Sequence, residues 1–355
     1  MKKNLIAMGV AAALTAPMAA QAMDAGDGSN VELYGRFQAE WTNVSSDLEG
    51  SNEPLYLNDM DAGKWGIFAS EKLGNGWTAF GRFEWDEHVT DSKDSDRAQY
   101  IGVSGDWGLF LAGRHDTPYK ITGGVKADPF VATNLEARRG GGMSSGVFGQ
   151  GSYADHVFAY ASPDFNGFSF IAAINPENSD GSVYGKDGAN LYSIGAQYKN
   201  GPVWVWAGYN DGQDLQVLGE DIKAWKVGGA YTFGNHSIRA QYEDRDGVST
   251  GVGSSSVLGS LYGEIDSESA DFLWVAYVLT MGNNELMVSY GDENYDNVDG
   301  YSDDAEVQSY TVAARHNMSK TFNVFGGWKR YSVDDGDNTD DTDVITVGMR
   351  KDFKI

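Results

Sequence analysis

Charged residues on one face of alternating segments are the first candidates for chemistry in this chain. Five bases stand at such positions, and these are Arg36, Lys64, Arg82, Arg97 and Arg114. The glycine-rich segment 115–154 supplies acids, namely Asp116, Asp128 and Glu136. Acids that face bases across water create a transverse field, which orders solvent and favours small polar solutes over apolar ones. These residues therefore point to selection of solutes by charge.

Catalytic patterns are weak by comparison. The chain has no cysteine, which excludes thiolate catalysis and thiolate metal sites. His115 and His156 each adjoin an aspartate, but neither is accompanied by a serine in a nucleophile-elbow pattern, and no His-Glu-x-x-His run occurs. We predict no catalytic residue, no metal ion and no cofactor.

Strict alternation of polar and apolar residues predicts that strands position these charges. In residues 31–41, Val31, Leu33 and Phe37 share one face, whereas Glu32 and Arg36 lie on the other. The same pattern recurs in four further segments, at residues 77–86, 225–233, 238–243 and 345–353. Segments such as 98–104 are apolar on both faces, so their register cannot be read. The fold class is all-β.

The N-terminus resembles a secretory signal. Residues 1–22 have a charged start, an apolar middle and an Ala-Gln-Ala end, so we expect export and a single mature domain over residues 23–355. No later stretch of 18 apolar residues could form a membrane helix. With 51 acidic and 26 basic residues the net charge is -25, which argues against a nucleic acid partner. The mature chain is either a soluble exported β protein or a membrane β-barrel.

The connections between strands favour the barrel. Seven short turn signals alternate with eight longer polar segments, which together join sixteen strands. Tight turns on the periplasmic side and long loops on the extracellular side are typical of an antiparallel transmembrane barrel of the outer membrane. Aromatic residues at strand ends fit interfacial girdles, and these include Trp41, Trp77, Trp85, Trp225 and Phe353.

Several runs resemble Gram-negative general porins over the whole mature chain. They include Val-Glu-Leu-Tyr-Gly-Arg at 31–36, Ser-Glu-Lys-Leu-Gly-Asn-Gly at 70–76, Ile-Gly-Val-Ser-Gly-Asp-Trp-Gly at 101–108 and the closing run 347–353. The resemblance implies a 16-stranded homotrimeric channel whose third loop, residues 115–154, folds into the lumen. It implies that Asp128-Pro129-Phe130 belongs to an acidic constriction, and that Phe353 is an assembly signal for the barrel-assembly machinery. Here Lys354 and Ile355 follow that phenylalanine.

A channel function follows from these features. A barrel of about sixteen strands is too wide to sieve solutes, so a loop must narrow it. We predict passive diffusion of ions and small hydrophilic solutes across the outer membrane, with membrane lipids and lipopolysaccharide around the barrel. The acidic net charge predicts a weak preference for cations. An outer-membrane barrel enzyme, such as a lipase or protease, and a soluble secreted β protein are the alternatives.

Overall fold

A computed structural model describes most of the mature chain. The described residues are 23–24, 29–47, 53–60, 62–91, 95–146, 148–151, 153–176, 190–249, 266–299, 304–334, 336 and 338–355. The predicted signal peptide, residues 1–22, lies outside them. Among the described residues no helix is long and apolar enough to cross a membrane.

Sixteen antiparallel strands form one closed wall, which confirms the predicted fold class. We number them β1 (Ser29–Ser46), β2 (Lys64–Gly74), β3 (Trp77–Asp86), β4 (Asp96–Gly105), β5 (Gly108–Asp116), β6 (Tyr153–Ala161), β7 (Phe168–Asn175), β8 (Asn190–Asn200), β9 (Val203–Val217), β10 (Glu220–Phe233), β11 (His236–Ser249), β12 (Asp266–Met281), β13 (Asn284–Val298), β14 (Ala305–Asn317), β15 (Phe322–Asp334) and β16 (Thr339–Lys354).

Pairing of the last strand with the first closes the wall. Strand β16 runs antiparallel to β1, with Phe353 opposite Gly35 and Thr342 opposite Ser46. Two short strands, Met23–Asp24 and Glu53–Asn58, add to β1 at its two ends. A closed wall leaves no sheet edge with unpaired backbone groups, as a lipid environment requires.

Alternation along each strand separates an apolar outside from a polar inside. On β1 the side chains of Leu33, Phe37 and Trp41 are exposed, while Gln38 and Glu40 are buried on the opposite face. Exposed aromatic side chains meet in pairs near the turn ends, such as Phe37 with Phe353, whose ring centroids are 5.3 Å apart. In lipid, an outward apolar band flanked by aromatic residues stabilises the barrel.

The connection near 210–222 differs from the sequence prediction of a long polar loop. Strand β9 continues to Val217 and strand β10 begins at Glu220, so only Leu218 and Gly219 lie between them. Both turn residues have positive φ, at 52° and 94°, as a tight hairpin turn requires. The polar residues here belong to the two strands, which extend beyond the apolar band of the barrel.

The two residues after Phe353 continue the closing strand. The Ile355 amide donates to Leu33 O at 2.8 Å, and the Leu33 amide donates to Ile355 O at 3.1 Å. The Lys354 ammonium pairs with Glu32 at 2.8 Å. The two residues after Phe353 therefore extend the pairing of β16 with β1 at the barrel closure.

Candidate functional site: a loop-lined lumen

The segment between β5 and β6 lies inside the barrel. It begins with a short helix, α1 (Pro118–Ile121), whose N-cap Thr117 accepts a hydrogen bond from the Lys120 amide at 3.2 Å. The Tyr119 ring is fully buried, and the Lys226 ammonium of β10 lies 4.5 Å from its centroid. Glycine permits a close approach of the loop to the wall, since a Cβ on Gly291 would lie 2.1 Å from the Gly141 carbonyl carbon.

Inward-facing bases hold the carbonyl groups of this loop. Lys329 donates to Glu136 O at 2.8 Å and to Arg139 O at 2.9 Å. Arg350 donates to Ala132 O at 3.0 Å. Four more wall bases donate to loop carbonyl or amide oxygens in the same way: Lys226, Arg239, Arg245 and Arg315.

Inward-facing acids hold the loop's amide groups. Glu40 accepts from the Asn134 amide at 3.1 Å, Glu293 from the Gly142 amide at 2.9 Å, and Glu243 from the Ser144 amide at 3.3 Å. These acids and the six bases lie on β1, β10, β11 and β13–β16. The loop is therefore fixed to that part of the wall, and none of these anchors lies on β2–β4.

None of the six anchoring bases is among the candidates predicted from the sequence. Alternation places Lys226, Arg239 and Arg350 on the polar faces of their segments, so the signal was present in the sequence. The bases predicted from the sequence to face the loop all lie on the early strands. Contacts of the later strands depend on where the loop rests, which the pattern does not encode.

Asp128 and Glu136 lie within the loop and organise it. Asp128 accepts from the Phe130 amide at 2.8 Å and the Ala137 amide at 2.7 Å, and burial raises its pKa to about 6. Glu136 pairs with Arg138 at 3.0 Å and Arg139 at 2.5 Å. Although burial opposes it, these two guanidinium groups lower the pKa of Glu136 to about 2.

The third predicted acid also has a partner. Asp116 ends strand β5 and pairs with Lys120 of α1 at 2.5 Å. The structure therefore places all three acids in ion pairs or backbone hydrogen bonds. The water-facing side of the loop instead carries exposed Lys126 and partly exposed Arg138.

Four of the five predicted bases lie on the inner wall. Lys64 and Arg97 both pair with Glu84, at 3.3 Å and 2.8 Å, and Arg97 also pairs with Asp86. An extra residue in β4 at this point brings Arg97 to the inner side. Arg36 pairs with Asp352 at 2.7 Å. The fourth, Arg82, has a different environment.

Aromatic rings, and not an acid, surround the guanidinium of Arg82. Its guanidinium carbon lies 5.1 Å from the Tyr34 ring centroid, 5.7 Å from that of Tyr100 and 5.9 Å from that of Phe68. Among the described residues its Nε has no hydrogen-bond partner. Glu84 lies on the same face of β3, and Tyr34 donates to it at 2.9 Å.

Arg114 lies on the outer face, unlike the inward orientation expected from the sequence. Its position in β5 is out of phase with Leu111 and His115, which are buried, and its guanidinium pairs with Asp155 at 2.7 Å and lies 5.6 Å from the Tyr153 ring at the end of the wall. Strand β5 is apolar on both faces over residues 109–112, so its register could not be read. Near the end of a strand an outward arginine costs little, about 0–1 kcal/mol, because headgroups and water are close.

A closed barrel with an apolar outside, a charged inside and a loop across its lumen is the architecture of an outer-membrane diffusion channel. Residues 7–336 match the model of the Gram-negative porin family, and the chain belongs to that family.

Individual relatives agree with this membership. A monosaccharide porin of Halomonas sp is 26% identical over 94% of this chain and 80% of its own length. The anion-selective porin from Comamonas acidovorans has the same fold, with a TM-score of 0.72 at 19% identity, over 92% of this chain and 100% of its own. The trimer form of OmpT from Vibrio cholerae has a TM-score of 0.65 at 13% identity, over 92% and 100%.

The protein is thus an outer-membrane porin that forms a water-filled channel for passive diffusion of ions and small hydrophilic solutes. The alternative of a soluble secreted protein is wrong. Family and relatives indicate a channel rather than an enzyme.

Proposed function

We propose that the narrow part of this channel favours anions over cations, although the whole chain carries a charge of -25. The observation that carries this proposal is the orientation of the loop charges. Asp128 and Glu136 are buried, Lys126 is exposed, and the single Glu136 carboxylate is shared by Arg139 and the partly exposed Arg138, which leaves one positive charge in excess there. A permeating ion therefore meets positive charge on the loop side.

The opposite wall adds to this positive potential. Lys64 and Arg97 balance the charges of Glu84 and Asp86, and Arg36 balances Asp352. The positive charge of Arg82 forms no ion pair with any of these acids. Charge pairs cancel at a distance, so the unpaired bases set the sign of the potential in the lumen.

Much of the negative charge lies away from the permeation path. Aspartates occupy the outer face of the extended strands, where they alternate with inward residues such as Glu243 and Glu293. They are Asp211, Asp244, Asp246, Asp271, Asp292 and Asp296. Screening over about 8 Å at physiological ionic strength weakens their potential in the lumen. We therefore propose an anion preference in place of the weak cation preference that net charge predicts.

Substitution of the loop bases tests this proposal. Lys126→Gln and Arg138→Gln should each lower the ratio of chloride to potassium permeability, measured as reversal potential across planar bilayers in a salt gradient. Arg114→Gln removes an arginine from the outer face and is the matched control, with no change expected. An unchanged or increased ratio in both loop variants would contradict the proposal.

We further propose that the porin acts as a homotrimer in contact with outer-membrane lipids and lipopolysaccharide. The trimeric OmpT structure and the exposed apolar side chains of the outer face support this. The proposal includes export with cleavage of residues 1–22. It also includes recognition of Phe353 by the barrel-assembly machinery. Native electrophoresis before and after heating, with N-terminal sequencing, tests trimer and cleavage together.

Hydrolysis assays test the barrel-enzyme alternative. Purified protein that hydrolysed phospholipid or peptide, with loss of that activity in a His115→Ala variant, would favour the barrel-enzyme alternative over a simple channel.

A further inference from the structure

The Arg82 environment differs from that of every anchoring base described above. Those bases donate to loop oxygens, and Lys64, Arg97 and Arg36 pair with acids. Arg82 does neither within the described residues, and its Nε has no hydrogen-bond partner although the side chain is more than nine-tenths buried. A guanidinium without an acceptor in a low-dielectric site attracts an acceptor from outside the protein.

The nearest acid does not meet this need. Glu84 is two residues further along the same face of β3, but its two oxygens are engaged by Lys64, Arg97 and the Tyr34 hydroxyl. Its charge is therefore balanced within that cluster. Arg82 remains a positive group on the stretch of wall that the loop leaves open.

Aromatic rings fix the orientation of the guanidinium. Tyr34, Phe68 and Tyr100 each lie within 6 Å of it, a distance at which cation–π attraction operates. A side chain held in this way loses little conformational freedom when it binds a ligand. Its fork of parallel N–H donors matches a carboxylate, which it binds with two hydrogen bonds.

An apolar surface continues from the guanidinium towards the short-turn end of the barrel. Phe68 faces Arg82 across the β2–β3 pair, and the Phe80 ring stacks on Phe68 with centroids 6.2 Å apart. Both rings are only partly buried. Ring faces of this kind pack against the flat apolar body of an organic solute.

We propose that Arg82, Phe68 and Phe80 form a binding subsite for small organic carboxylates with an apolar or aromatic body. The carboxylate bonds to the guanidinium, and the body lies on the two phenylalanine rings. Chloride can use only the first of these interactions. The subsite rests on the anion-favouring channel proposed above and adds a preferred solute class to it.

Block of ion current by benzoate tests the subsite. Channels of the full mature porin in planar bilayers carry a chloride current, and benzoate or acetate is added in increasing concentration. We expect benzoate to reduce the current saturably and at about tenfold lower concentration than acetate. Benzoate that acts no better than acetate would overturn the proposal.

Variants separate the two parts of the subsite. Arg82→Lys removes the paired N–H donors, so it should lose most of the benzoate block. Phe68→Leu should reduce the advantage of benzoate over acetate while leaving acetate unchanged. Arg114→Gln is the control for arginine loss, and block equal to wild type in both subsite variants would refute the assignment.

The same experiment distinguishes failure of this inference from failure of the anion preference. A reversal potential without anion preference, together with Arg82-dependent benzoate block, would refute the general preference and leave the subsite. Anion preference without benzoate block would refute the subsite and leave the preference.

Discussion

Replacement of Lys329 by methionine should release the lumen loop while leaving the barrel intact. The ammonium of this buried lysine donates to two loop carbonyls, Glu136 O at 2.8 Å and Arg139 O at 2.9 Å. Methionine has a similar length and fills the same space, so packing changes little. The variant removes both hydrogen bonds and leaves two carbonyl groups without this donor.

The structure sets the size of the effect. A hydrogen bond from a charged donor contributes about 1.5–3 kcal/mol, and water in the lumen replaces part of the loss. A net cost of about 2–4 kcal/mol shifts the equilibrium between anchored and released loop by about 30- to 1,000-fold. The loop keeps its other anchors, so we expect brief excursions of this segment rather than permanent release.

Single-channel recording measures this release directly. Lys329→Met should show greater open-channel noise and a larger mean conductance, with the heat-modifiable electrophoretic shift of a folded barrel retained. Lys351→Met is the matched control, because Lys351 is exposed and donates to Thr321 at the short-turn end. Noise and conductance equal to those of the control would refute our description of loop anchoring.

Three further predictions follow from the loop and the wall. Because the pKa of Asp128 is raised from 3.8 to about 6 in the folded loop, this carboxyl contributes stability that is present below its unfolded pKa and is lost as pH rises through about 6; protease cleavage within the loop should increase over that range, and Asp128→Asn should abolish the change. Deletion of Asp352–Ile355 removes two ion pairs, an aromatic contact and a strand end, so heat-modifiable membrane protein should disappear, whereas loss of Ile355 alone should be tolerated. Arg114→Gln should leave ion selectivity unchanged while Arg82→Gln lowers anion permeability, and equal effects of the two would contradict their placement on opposite faces.

Period-two alternation was sufficient to predict the wall. It assigned Arg36 and Arg82 to the inner face, and the count of short and long connections predicted sixteen strands. Where both faces are apolar the alternation disappears, and Arg114 was assigned to the wrong side for this reason. The polar residues near 210–222 were assigned to a loop because composition alone does not distinguish a strand in water from a loop.

The electrostatics of the lumen could not be predicted in the same way. Asp128 and Glu136 read as exposed loop acids, yet their carboxylates bind backbone amides and arginines of the loop itself. Which charges remain unpaired depends on three-dimensional contacts between segments far apart in sequence, such as Lys329 with Glu136. Net charge predicts the opposite sign from the one that we propose, because it counts acids on outer faces together with those of the lumen.

The reversal potential of the unmodified porin in a potassium chloride gradient tests the central claim most directly. A lumen whose unpaired charges are positive predicts that chloride is more permeant than potassium, with a preference that decreases in 1 M salt as screening shortens to about 3 Å. A potential of the opposite sign, with potassium more permeant at low salt, would contradict the claim.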